Sequence, residues 1–207
     1  MKIEIWSDIA CPWCYLGKHR FEAALEQFEG RNDVEVTYRS FQLDPSAPPV
    51  SPGTLNELLS KKYGMPVAQA EAMNARMAAM GEPEGIAFHF DRARPANTFD
   101  AHRVVHLANE HGKGDAMKER LFEAYFRDGR IVSDPDTLVA LADEEGLDAR
   151  PVIASSEFAD DVRADIERAR ELGISGVPFF VFDEKYGVSG AQTADVLLET
   201  MREAAKG

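Results

Sequence analysis

The stretch Ser7-Asp8-Ile9-Ala10-Cys11-Pro12-Trp13-Cys14-Tyr15-Leu16-Gly17-Lys18 places two cysteines between a strand pattern and a helix pattern. Before it, Ile3 and Ile5 alternate with Glu4, the period of a strand. After it, Phe21, Leu25 and Phe28 recur at spacings of four and three, which is one face of an amphipathic helix. Asn32-Asp33 signals a turn. Val34-Glu35-Val36-Thr37-Tyr38 then alternates and is β-branched, so it reads as a second strand. The opening is β-α-β, with enough chain in the helix for a parallel crossover.

Beyond Asp44-Pro45 the pattern changes. Pro45, Pro48, Pro49 and Pro52 make an irregular linker, and from Thr54 onward the periodicity is helical. Leu55, Leu58 and Leu59 form a short amphipathic face. Helices are predicted over Val67 to Met80, Thr98 to Glu110, Asp115 to Phe126 and Asp136 to Glu145, with Gly81, Gly112, Gly129 and Gly146 as stop signals. Ser156 is predicted to open one long helix through Leu172, closed by Gly173. Strand character returns at Pro178 to Phe182, followed by a short partner strand at Gly187 to Gly190 and a last helix at Ala194 to Ala205. The pattern therefore predicts one α/β domain built from residues 1–44 and 157–207, interrupted by an all-helical insertion over residues 45–156.

The chain has 207 residues, with 23 Lys and Arg against 36 Asp and Glu, a formal charge of −13. A sequence pI near 4.8 argues against the basic face that a nucleic-acid partner requires. No apolar run is long enough for a membrane span, so no membrane partner is expected. Met1-Lys2-Ile3-Glu4-Ile5-Trp6 has no signal-peptide core and goes straight into a strand, which points to the cytoplasm.

Cys11 and Cys14 are the only cysteines. In a reducing compartment a lone pair at this spacing is redox-active or half of a metal site, rather than a structural bridge. At a helix start the positive end of the dipole stabilises the negative sulfur of Cys11, and the second thiol is near enough to attack a mixed disulfide. Cys11, nearer the helix start and expected to be the more exposed, is assigned as nucleophile and Cys14 as resolving thiol. No separate cofactor or metal is expected, since the redox centre is the Cys11–Cys14 disulfide itself.

Cys-x-x-Cys after a first strand resembles the thioredoxin superfamily, and the helical insertion resembles its DsbA branch. The longer run from Ser7 to Lys18 is similar to the FrnE-type group of DsbA-like proteins, relatives of 2-hydroxychromene-2-carboxylate isomerase and kappa-class glutathione transferases. Asn97-Thr98 with Ala101-His102-Arg103, Gly173-Ile174-Ser175-Gly176-Val177-Pro178, and Ser189-Gly190-Ala191-Gln192 also resemble that group. The resemblance implies a cis Val177–Pro178 bond beside the cysteines, with the Val177 backbone available to an extended substrate. Pro12, Trp13, Val177 and Pro178 are then the substrate-binding residues. It implies thiol–disulfide exchange, with protein thiols or disulfides, or a small thiol such as glutathione, as partners. No residue pattern sets the oligomeric state.

Two other functions compete. A glutathione-dependent isomerase or transferase acting on a small aromatic substrate shares the fold, but relatives of that kind carry serine where this chain has Cys11. They also hold glutathione with Ser-Asp near the last helix, where this chain has Ala191-Gln192. A metal-binding or holdase module would use Cys11 and Cys14 as ligands. His102 and His106, four residues apart, would complete a Cys₂His₂ set. Trp13 is expected to be partly exposed, as a docking surface. His19 is expected to be solvated. Met65, Met73, Met77 and Met80 are candidates for an adaptable apolar groove, against which the helical spacing of Met73, Met77 and Met80 reads as core.

Overall fold

The computed structural model describes residues 1–206. β1 (Lys2–Ser7) leads to α1 (Pro12–Gln27), a single 3₁₀ turn and β2 (Glu35–Ser40). Helices α2 (Leu55–Tyr63), α3 (Val67–Gly81), α4 (Phe99–Glu110), α5 (Gly114–Phe126), α6 (Pro135–Glu144), α7 (Arg150–Ile153) and α8 (Ala159–Glu171) follow. β3 (Phe179–Phe182), β4 (Tyr186–Ser189) and α9 (Ala194–Ala204) complete the chain. The sheet order is β2-β1-β3-β4, with β1 parallel to β2 and antiparallel to β3. The crossover between the parallel strands is α1, as a parallel pair requires. The fold is the thioredoxin-like α/β arrangement with a helical insertion.

Alternation in β1 sorts the two faces of the sheet. Ile3 and Ile5 join Phe180 and Phe182 in a core that continues through Leu16 and Phe21 of α1 and Leu197 and Met201 of α9. Trp6 and Val181 point to the opposite face and pack with Ala169 of α8 and Ile174. The first core also takes in Val104, Leu121, Phe122 and Leu141 from α4, α5 and α6, so apolar packing is continuous from the sheet into the helices. Glu4, on the face of Trp6, is neutralised by Arg39 at 2.7 Å and Arg168 at 3.0 Å. No helix among the described residues is long and apolar enough to cross a membrane.

Three predicted boundaries are corrected. The helix expected from Ser156 to Leu172 begins only at Ala159, after the separate turn α7. Arg103, buried on α4, donates to the carbonyls of Val152, Ser155 and Glu157, and these bonds hold residues 152–157 away from a continuous helix. Phe158 enters α8 with φ 59°. β2 runs to Ser40 instead of stopping at Tyr38, because the Ser40 N–H donates to Asp165 Oδ2 at 2.9 Å and Arg39 reaches Asp165 Oδ1 at 3.1 Å. Gly112, Gly129, Gly146 and Gly173 do end helices with positive φ. Gly81 does not: it stays helical, pressed so closely on Phe88 that a Cβ would lie 2.6 Å from that ring.

Candidate active site

Cys11 is the N-cap of α1, with extended backbone (φ −101°, ψ 109°), and Pro12 is the first helical residue. Proline suits that place because its φ is preset and the missing N–H has no helical partner there. The Cys11 carbonyl accepts from Cys14 N at 3.0 Å and Tyr15 N at 3.3 Å, which closes the first turn over the sulfur. That turn carries no acidic residue, and the positive end of the helix faces the Cys11 thiol.

Both cysteines are free thiols. The expected difference in exposure is corrected: Cys11 is 3% exposed and Cys14 2%. The reason is tertiary, since the chain before β3 lies over the pair. The Cys11 thiol donates to the Val177 carbonyl at 3.6 Å. The Val177–Pro178 bond is cis, and the Pro178 carbonyl accepts from Gly190 N at 2.8 Å. Gly17 permits this closeness, because a Cβ there would stand 2.8 Å from Pro178 Cγ. Trp13 is 47% exposed, while Pro12 and Val177 are half-buried and Pro178 is buried. Cys11, Cys14, Val177 and Pro178 are thus brought together from opposite ends of the chain.

Burial pushes the Cys14 thiol well above its ordinary range, and its hydrogen bond with Cys11 adds to the effect. Cys14 therefore rests as a protonated thiol. Beneath the pair lies a polar cluster that sequence patterns did not bring together. Burial opposes ionisation of Asp8, yet the hydrogen bond to His102 and the Leu43 N–H at 2.8 Å hold its carboxyl below the usual range. His102 is 1% exposed and contacts Asp8 Oδ1 at 3.3 Å. Burial outweighs that contact and keeps the imidazole neutral. Lys118 of α5 is fully buried, and burial lowers its ammonium to about 8. One signal for it was readable: Met117, Lys118, Leu121, Phe122 and Tyr125 share one helical face, so the lysine occupies a core position.

The Cys₂His₂ set is not assembled as a metal site would be. His102 Nε2 faces Asp8, and His106 Nε2 faces Asp165 at 3.1 Å. The only grouping of metal-type ligand atoms among the described residues is His19, Glu22 and Glu119. Lys18 already supplies its cation, pairing with both Glu22 and Glu119. His19 is also not the solvated residue expected. It is half-buried, bonded to the Glu84 carbonyl at 2.8 Å and Glu119 at 3.0 Å. Its ring meets Tyr15 edge-on at 5.1 Å, and α1 carries it against α5. Of the methionines, Met77 is core, Met65 and Met80 are half-buried, and Met73 is exposed.

The comparisons agree with this architecture. Residues 2–202 match the family model described as DSBA-like thioredoxin domain. YwbO of Bacillus subtilis, an uncharacterized protein, is 30% identical over 210 residues, covering 99% of this chain and 97% of YwbO. The crystal structure of a probable DsbA oxidoreductase from Streptomyces coelicolor superposes with a TM-score of 0.94 at 45% identity, over 100% of this chain and 90% of that one. The cytosolic disulfide reductase DsbM from Pseudomonas aeruginosa shares the fold, with a TM-score of 0.71 at 18% identity over 100% and 99% of the two chains. With the match running from the first residues of β1 into α9, the chain belongs to the DSBA-like thioredoxin domain family.

Proposed function

We propose that this chain is a thiol–disulfide oxidoreductase working through a mixed disulfide on Cys11. The observation that carries this reading is the division of labour between the thiols. Cys11 caps α1 against the Val177 carbonyl, while burial keeps Cys14 protonated until it is needed. In the reducing direction the Cys11 thiolate attacks a substrate disulfide, and one substrate sulfur leaves with the electron pair and takes a proton from water. Cys14 then attacks Cys11 Sγ, forming the Cys11–Cys14 bond and releasing the second substrate sulfur. Two electrons pass to the substrate, and a thiol donor returns the protein disulfide to the dithiol. The reverse sequence oxidises a substrate dithiol.

The redox centre is the cysteine pair, with no separate cofactor. Pro12 and exposed Trp13 form one wall of the docking surface, and Val177 with Pro178 forms the other. The partners are protein thiols or disulfides, or a small thiol such as glutathione. The DsbM reductase, similar in fold, has been determined with GSH. An acidic chain whose cysteines are a single Cys-x-x-Cys pair suits the cytoplasm, as does that fold relative described as cytosolic.

Trapping tests the reading. Cys14→Ser retains the attacking thiol and loses the resolving one, so it accumulates a mixed disulfide through Cys11 that dithiothreitol reverses. Cys11→Ser traps little, because the remaining Cys14 thiol is held protonated. Mass spectrometry of the adduct distinguishes the readings. Protein adducts support the proposal, whereas glutathione adducts alone with conjugating activity on an aromatic substrate favour the isomerase or transferase reading. No adduct, with stoichiometric zinc on the wild-type protein, overturns the proposal in favour of a metal module.

A further inference from the structure

We propose that Asp8 is a positioning residue for the exchange: its carboxylate ties the turn that delivers Cys11 to the helical insertion, and so holds Cys11 in place for closure of the Cys11–Cys14 bond. The inference rests on the thiol-exchange reading and adds a residue outside the Cys-x-x-Cys motif.

Between β1 and α1 the chain makes a four-residue turn, Asp8-Ile9-Ala10-Cys11, closed by the Cys11 N–H donating to the Asp8 carbonyl at 3.1 Å. Aspartate suits the first position of such a turn because its carboxylate accepts from the N–H two residues on. That local bond is long here, 3.5 Å from Ala10 N to Oδ1. It does not account for the burial of Asp8, since water satisfies a turn carboxylate equally well. Asp8 is 1% exposed, and a buried carboxylate is costly unless hydrogen bonds satisfy it. The bonds that do so come from far along the chain. The Leu43 N–H, 35 positions away, donates to Oδ2 at 2.8 Å, and His102 Nε2, 94 positions away, meets Oδ1 at 3.3 Å. The Leu43 donor is itself held in place. Gln42 donates to Asn97 Oδ1 at 3.2 Å, and Asn97 Nδ2 donates to the Ala47 carbonyl at 2.8 Å. One carboxylate thus joins the redox turn, the chain leaving β2 and α4 of the insertion.

The consequence falls on Cys11. Its N–H is held by Asp8 and its carbonyl accepts from Cys14 N at 3.0 Å, so its backbone is fixed on both sides. In the resolving step the Cys14 sulfur, having given its proton to solvent, attacks Cys11 Sγ. The Cys11–Cys14 bond forms and the bond from Cys11 to the substrate sulfur breaks. That sulfur leaves with the electron pair and takes a proton from solvent. The reacting sulfurs must be aligned for this step, and fixing them beforehand removes the entropy cost of alignment. Asp8 acts through the backbone and moves no proton, because hydrogen bonds occupy both of its oxygens and it stays ionised.

The test uses full-length protein. Glutathione buffers at pH 7 give the effective concentration of the Cys11–Cys14 pair. Ellman's disulfide added to reduced protein releases one thionitrobenzoate on attack by Cys11 and a second on resolution by Cys14. Asp8→Ala removes every carboxylate contact. It is expected to lower the effective concentration and to slow the second release, each about tenfold, while the first release changes much less. Asp8→Asn keeps an acceptor for the Leu43 N–H, and its amide can donate to the neutral His102 ring in the other tautomer. It should recover most of the loss, although the charge that favours the Lys118 ammonium of α5 is gone. Asp8→Ser keeps the local turn acceptor alone and should remain impaired. The serine variant also stands in should the alanine variant fail to fold. All readings are taken without denaturant on protein with native circular dichroism, so a loss of stability alone moves none of them. An unimpaired alanine or serine variant, equal slowing of both releases, or an asparagine variant as impaired as the other two overturns the inference. A wild-type protein that forms no Cys11–Cys14 disulfide and releases no thionitrobenzoate would instead sink the thiol-exchange reading itself.

Discussion

The sulfur of Cys11 lies 3.6 Å from the carbonyl oxygen of Val177, so the first turn of α1 and the chain leading into β3 meet at this thiol. The contact joins residues separated by 166 positions. Two local features make it possible. Pro12 starts α1 directly after Cys11, and Gly17 one turn further leaves room for the ring of Pro178.

Gly17→Ala tests that packing. The new methyl would sit 2.8 Å from Pro178 Cγ and 3.5 Å from Ala191 Cβ. A pyrrolidine ring has little freedom to yield, so Pro178 must shift away from Cys11. We expect a loss of about 1–3 kcal/mol, typical of overpacking, together with a fall in turnover. Urea denaturation and disulfide-reduction kinetics on the same protein measure both. Unchanged stability and rate would show that the close approach is not needed.

Trp13→Ala separates docking from chemistry. The side chain is 47% exposed between the two cysteines, and removing it leaves no cavity in the core. Stability should therefore change by no more than about 0.5 kcal/mol. With a protein disulfide as substrate KM should rise, while the reaction with Ellman's disulfide stays near wild type. Equal losses with both substrates would place the indole in the reacting geometry instead of the docking surface.

Glu119 links α5 to α1 and gives the fold an acid-sensitive contact. Burial opposes its charge, but the hydrogen bond from His19 and the charge and hydrogen bond of Lys18 bring its carboxyl down to about 2. Tyr15 also donates to it at 2.8 Å. A carboxyl lowered on folding stabilises the native state fully above its unfolded value, about 4.3, and loses that stabilisation as pH falls through the folded value. Glu119→Gln should thus cost about 2 kcal/mol at pH 7, with the difference from wild type closing between pH 4 and 2. A pH-independent difference, read from denaturation midpoints across that range, would refute the electrostatic account.

His102 adds a second acid dependence to be expected in the wild-type protein. Burial holds its imidazole below the ordinary value, so the folded state keeps it neutral where the unfolded chain protonates. Stability is then complete above about 6.5 and declines as pH falls below it. Thermal melts of wild type and His102→Gln between pH 7 and 5 should converge if this contribution is real, and parallel curves would reject it.

Much of this molecule was legible in local pattern. Alternation placed Ile3 and Ile5 in a strand, the spacing of Phe21, Leu25 and Phe28 placed α1, and the sequence set Cys11 just before that helix. These are properties of neighbours along the chain, and dihedral preference and side-chain periodicity act at that range. What depended on distant parts of the chain was not readable in the same way. Arg103 breaks the helix expected at Ser156 by binding three carbonyls of a passing segment. His19 loses its solvent to Glu84 and Glu119. The Val177 segment buries a cysteine that a helix start would otherwise expose. Lys118 was the intermediate case, since its core position showed in the pattern of α5 but its neighbours did not. The sequence by itself determined the order of elements and the pair of thiols. Only the tertiary structure decided which charges share their buried environment, because desolvation and pairing depend on what surrounds a group in space, and for Cys14 those surroundings come from the turn between β1 and α1, from α1 itself and from α5.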